Sequence, residues 1–162
     1  MTKLPLSSFK QLFEPNIRAM LNWDLLAAHD AFADTHVIST TEELGSLFTV
    51  WHVNMQQEPA SWDDLQAQPL PVSKASEDLS LWPEHRRHTV SQFQNHYLSS
   101  PEPVNLLLPA YRAGARLILL DSTHRAVAVH QGALDFTAMV VTLNGPINEH
   151  VLPDLRWHAS NP

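Results

Sequence analysis

Apolar residues recur at two different spacings along this chain, and the switches between them outline its elements. Between Pro15 and Asp34, residues Ile17, Met20, Leu21, Leu25, Ala28 and Phe32 fall on one face at helical spacing, with Trp23 and Leu26 widening the stripe. A proline is tolerated in a first turn, so this spacing predicts a helix beginning near Pro15. Residues 35–40 predict a short strand, and the acidic Thr41-Glu42-Glu43-Leu44 a brief helix ended by Gly45. Phe48, Val50 and Val53 sit among β-formers over 46–56, which predicts another strand. The capping pattern Ser61-x-x-Asp64 predicts a short helix within 58–68, and the prolines and serines of 68–81 predict an exposed loop.

In the second half, Pro83 opens a helix with Val90, Phe93 and Tyr97 as its apolar stripe. A strand over 104–108, a turn from Pro109 to Gly114 and a second strand over 116–120 follow. A short helix over 123–131 ends at Gly132, "DFTAMVVTL" makes a further strand, and "NGP" a turn before a final short helix and tail. Helices and strands interleave without an internal repeat, which favours a mixed α/β or α+β layer.

Composition narrows what such a layer can do. The 162 residues suit one domain, 1–162, and 44% apolar against 17% charged residues argues against disorder over the whole length. No window reaches the ~18 apolar residues of a membrane span, and the N-terminus lacks the apolar core of a secretory signal. The absence of cysteine excludes disulfides, thiolate nucleophiles and Cys-ligated metal, and is compatible with the cytoplasm, the compartment expected here. A net charge of −7 disfavours a nucleic-acid face and suits either a soluble enzyme or a protein with a basic partner.

The chemistry concentrates in "RLILLDSTHRAVAVHQ", residues 116–131, where an apolar strand stops at Asp121 and a polar corner follows at once. The first amides of a helix have no partner inside it and carry the positive end of the dipole, so an anion is stabilised there. Ser122 or Thr123 can cap those amides or offer a hydroxyl to a phosphate. Arg125 can make two parallel bonds to a phosphate, and His124 adds a donor. Asp121 can hold a divalent metal, orient His124 or act as a base. The plainer reading is that Asp121 caps the helix, Arg125 pairs with it or with another acid, and His124 is surface filler.

The order strand, turn, strand, corner, Ala-rich helix, strand resembles the ParB/sulfiredoxin-like superfamily. "LLDSTHRAVAV" matches its Asp-Gly-x-His/Arg-Arg pattern at Asp121, His124, Arg125 and Ala128, over residues 100–145. The resemblance implies an α+β fold with a mixed sheet and helices, here with an N-terminal helical segment over 1–34. It also implies a nucleotide, ATP or CTP, with Mg²⁺. Ser122, Thr123, His124 and Arg125 would then cradle phosphate, Asp121 would hold metal, and Asp121, His124 and Arg125 would catalyse phosphoryl transfer or nucleotide hydrolysis. Ser122 stands where the pattern has glycine. Thr123 stands where sulfiredoxins carry their catalytic cysteine, so sulfinic acid reduction is excluded. The residues after the last strand are too few for a DNA-reading domain.

Other features are weighed against simpler roles. His85 and His88, or His88 and His96, share a helical face, but a solvated or locally basic face with Arg86 and Arg87 outweighs a metal reading. Folded over the corner, that patch would also meet a phosphate. Ser122 and His124 are poorly spaced for a triad. Trp51 and His52 suit either a base-stacking wall or the core. Glu42 and Glu43 suit a helix start better than a general base. Arg156, Trp157 and His158 suit docking on the domain or on a partner. The alternative to a nucleotide-binding enzyme is a non-catalytic binding protein, antitoxin- or immunity-type, whose acidic residues Glu42, Glu43, Asp63, Asp64, Glu77 and Asp78 steer it to a basic protein.

Overall fold

The computed structural model describes residues 2–17 and 19–162. Among the described residues, eight strands form one mixed sheet with seven α-helices on its two faces, an α+β architecture. The N-terminal third departs from the periodicity. β1 (Thr2–Pro5) and α1 (Leu6–Phe13) come first, α2 (Trp23–Ala28) is short, and β2 begins at Phe32 and runs to Ile38. Pro15 therefore lies in the turn that follows α1. The amide of Leu25 bonds the Asn22 side chain at 3.1 Å, which starts α2 afresh and breaks the expected helix in two.

α3 (Thr41–Ser46) is fixed by a capping box in which Thr40 and Glu43 satisfy each other's backbone amides. The Thr40 hydroxyl, donating to the Glu43 carboxylate, is the largest cause holding that carboxyl below its ordinary value. Glu43 is thus a structural cap. β3 (Phe48–Val53) follows as expected. Residues 58–68 are not helical: β4 (Pro59–Ala60) is followed by a turn in which the Asp64 amide bonds the Ser61 carbonyl. The Asp64 carboxylate caps the next turn through the Gln66 amide, so the Ser61 pattern closes a loop and starts no helix. The proline-rich 68–81 is likewise structured, as β5 (Gln68–Pro71), α4 (Val72–Ala75) and a 3₁₀ turn at Leu79–Leu81.

α5 (Glu84–Ser99) opens behind Pro83. β6 (Val104–Ala113) runs straight through Pro109, where a turn was expected. The Pro109 carbonyl accepts from Leu120 at 2.9 Å, so its missing N–H also faces the end of β7, where the ladder stops and only a terminal rung is affected. β7 (Arg116–Leu119), α6 (Thr123–Gln131), β8 (Phe136–Asn144) and α7 (Leu155–Ser160) complete the chain.

β6 lies centrally, antiparallel to β7 and parallel to β8, which pairs β2 and then β1. Leu106, Leu108 and Ala110 of β6 pack with Leu44, Val72, Val90 and Val127 beneath α3–α6. Tyr111 and Ala113 pack on the other face with Phe9, Leu26 and Leu155 of α1, α2 and α7. Part of that second face stays open, because Val37, Met139 and Leu107 lie side by side on three strands and all three are exposed.

β3 ends the main sheet in a fork. His52 pairs both Ala60 of β4 and Pro69 of β5, while Phe48 pairs both Pro71 of β5 and, in parallel register, Ile118 of β7. A strand has two edges, so β5 holds one and the other is divided between β7 and β4. The strands separate at Val50, beyond the carboxyl end of β7. Crevices of this kind, at the carboxyl ends of diverging parallel strands, are where open α/β sheets bind ligands.

Candidate functional site at the fork

The corner after β7 forms where the spacing placed it. Ser122 is the N-cap of α6 and adopts φ 67° and ψ 20°, the left-handed region that glycine enters without cost. Its side chain makes no capping bond, and its carbonyl accepts from Ala126 at 3.0 Å. Thr123 is buried. His124 places its ring edge-on to Trp51, with centroids 5.1 Å apart.

Arg125 does not join this corner. Its guanidinium lies 5.4 Å from the centre of the Phe93 ring on α5, near enough to Tyr97 to oppose the upward push that burial gives that phenol. The four ion pairs among the described residues include neither Asp121 nor Arg125, so the simpler pairing of these two is absent as well. No group of three or more His, Asp or Glu side chains among the described residues is arranged to hold a metal. Asp121 belongs to no such group, and nor do His85, His88 and His96 on α5.

The cation at the fork is Arg86. Its guanidinium carbon stands 4.9 Å from the Trp51 ring centre and 5.3 Å from that of Trp82. The two indoles are 5.0 Å apart and almost wholly buried, and the Trp82 ring N–H is committed to the Ala75 carbonyl at 2.8 Å. One terminal nitrogen of Arg86 is buried without a hydrogen-bond partner, and burial lowers the pKa of the guanidinium. Arg86 and His124 each stand about 5 Å from the same indole, so they lie no more than about 10 Å apart. The Trp51 wall and the Arg86 patch, 35 positions apart in sequence, thus meet beside the corner.

His52 is buried behind them. Its Nδ1 lies 3.0 Å from the Val50 carbonyl, which can only accept, so the proton sits on Nδ1. Burial is the main cause of its lowered pKa, and Arg86 adds to it. On α7, His158 is 3% exposed and neither ring nitrogen has a partner. It packs against Phe48 and Trp157, and desolvation, helped by Arg116 and His52, drops its pKa to about 4. The C-terminal Trp157 and His158 therefore dock on the domain itself. The basic patch over 85–88 is visible in the sequence, but which of its side chains turns to the fork, like the burial of His158, has no local sequence signal.

No family model matches this chain, and neither the curated proteins nor the solved structures include a match.

Proposed function

We propose that this chain is a ParB/sulfiredoxin-like domain that binds a phosphorylated small molecule, in the first instance a nucleotide, at the fork beyond β7. The observation that carries the reading is the Arg86 guanidinium, which has a buried nitrogen without an acceptor and no ion pair among the described residues. Burying a cation without an acid costs free energy that an anion from solution would offset. The first turn of α6 adds amides whose dipole favours the same charge. The left-handed Ser122 agrees with the resemblance, since glycine occupies that place in the pattern. Phosphoryl transfer and nucleotide hydrolysis are the reactions such charge stabilisation serves, with Asp121 and His124 as the nearest acid–base groups in sequence.

Thermal melting with ATP, ADP, CTP or inorganic phosphate, with and without Mg²⁺, tests the reading. A ligand that binds only the native state raises the midpoint by mass action. Arg86→Gln should remove the rise, and Arg125→Ala should leave it. No rise with any of these anions would sink the proposal.

A second reading, a non-catalytic protein-binding domain, is favoured by the exposed row Val37–Met139–Leu107 on the open sheet face.

A further inference from the structure

The geometry points to a phosphate monoester attached to a planar ring, the chemistry of a nucleoside monophosphate, in preference to a di- or triphosphate. This rests on the anion-binding reading above and specifies its ligand. Charge at the fork is the first ground. Arg86 supplies one full positive charge at the groove, and the first turn of α6, whose His124 shares the Trp51 indole with it, adds a weaker pull from farther off. That suits the charge of about −1.5 to −2 that a phosphate monoester carries near neutral pH. Each further phosphoryl group adds negative charge that needs another cation.

The other described arginines are engaged elsewhere or turned aside. Arg112 bonds Asn144 and Asp34, Arg116 bonds the Asn161 carbonyl, and Arg156 pairs with Glu149. Arg125 lies on Phe93. Arg87 follows Arg86 directly, and adjacent helix positions do not share a face. Among Val50, Pro59, Ala60, Ser61 and Trp62, the residues that line a groove with Arg86, no carboxylate stands ready to hold a metal against a polyphosphate.

Space beside Arg86 is the second ground. A groove of about 420 Å³ is lined by Val50, Pro59, Ala60, Ser61, Trp62 and Arg86. Its walls are mixed, as much polar as apolar, and its one cation is the guanidinium with the unpartnered nitrogen. Trp51 and Trp82 spend their faces on each other and on Arg86, but Trp62 is 37% exposed and offers a free aromatic surface. A ring stacked on an indole, with its phosphate turned toward a guanidinium, matches that arrangement. The Ser61 hydroxyl on the same wall can meet a polar edge of the ring or sugar.

Isothermal titration of the full chain with AMP, CMP, ATP, CTP, adenosine, ribose 5-phosphate and inorganic phosphate, with and without EDTA, tests the assignment. AMP or CMP should bind roughly tenfold more tightly than ribose 5-phosphate, the size of effect one stacked ring supplies. It should also bind more tightly than the matching triphosphate and be indifferent to EDTA. Trp62→Ala, at an exposed position, should bring the monophosphate down to the level of ribose 5-phosphate and leave ribose 5-phosphate unchanged. Arg86→Gln should weaken every phosphate compound and leave adenosine unaffected. A triphosphate binding as tightly as the monophosphate, or a Trp62→Ala variant that binds AMP and CMP normally, overturns the ring-monoester assignment while anion binding stands. Failure of every phosphate compound overturns both.

Discussion

Acid should loosen the grip of α7 on the sheet, and His158 should be the cause. The ring is 3% exposed, both nitrogens lack partners, and its neighbours are the Phe48 and Trp157 rings, the Arg116 guanidinium and His52. Such a site holds the imidazole neutral, so its pKa falls from an ordinary 6.5 to about 4. The unfolded chain takes up the proton as pH falls through the ordinary value, while the folded chain refuses it until near pH 4. Stability is therefore fully present above the ordinary value and drains away as pH falls toward the folded one. The whole shift corresponds to about 3 kcal/mol, of which about 2.5 kcal/mol is lost by pH 4.5. Urea denaturation of the natural chain and of His158→Phe, from pH 7.5 to 4.5, isolates this contribution from other titrating groups. The natural chain should lose about 2.5 kcal/mol more than the variant over that range. Parallel stability curves for the two proteins would refute the reasoning.

Two further outcomes follow from backbone and burial. Burial raises the Asp154 carboxyl from 3.8 to about 6, so its cost to folding appears as pH rises through that window and is complete above it. Asp154→Asn should accordingly stabilise the protein by up to about 3 kcal/mol at pH 7.5 and by almost nothing at pH 3.5, as read by the same urea series. Ser122→Gly should raise stability by about 0.5–1 kcal/mol, because it relieves a left-handed φ of 67° and sacrifices no capping bond, and a lowered melting midpoint would contradict this.

The second half of the fold was legible because its signals are local. Pro83 before a helix, Gly132 after one and the polar stop at Asp121 each act within a few residues, and α5, α6 and β8 lie where those signals put them. The region before β2 misled, because apolar residues 17–32 satisfy a helical period without forming one helix. Pro15 and Asn22 act there as breaks, and Met20 is exposed. The candidate site was half legible. The corner itself was visible, yet the direction of Arg125 depends on how α5 packs on α6, which no spacing reveals. Arg86, Trp51 and Trp82 meet only because β3 and α5 are neighbours in space, and the same holds for His158 against Phe48.

The divided edge of β3 has a mechanical consequence. Between β7 and β3 the ladder holds a single residue pair, Phe48 with Ile118, whereas β6 and β8 share eight. Strands β3, β4 and β5 thus form a small flap, tied to the rest of the sheet by one rung and by the helices above it. Amide protection should step down across that rung, so the flap unzips and recloses while the large ladder stays shut.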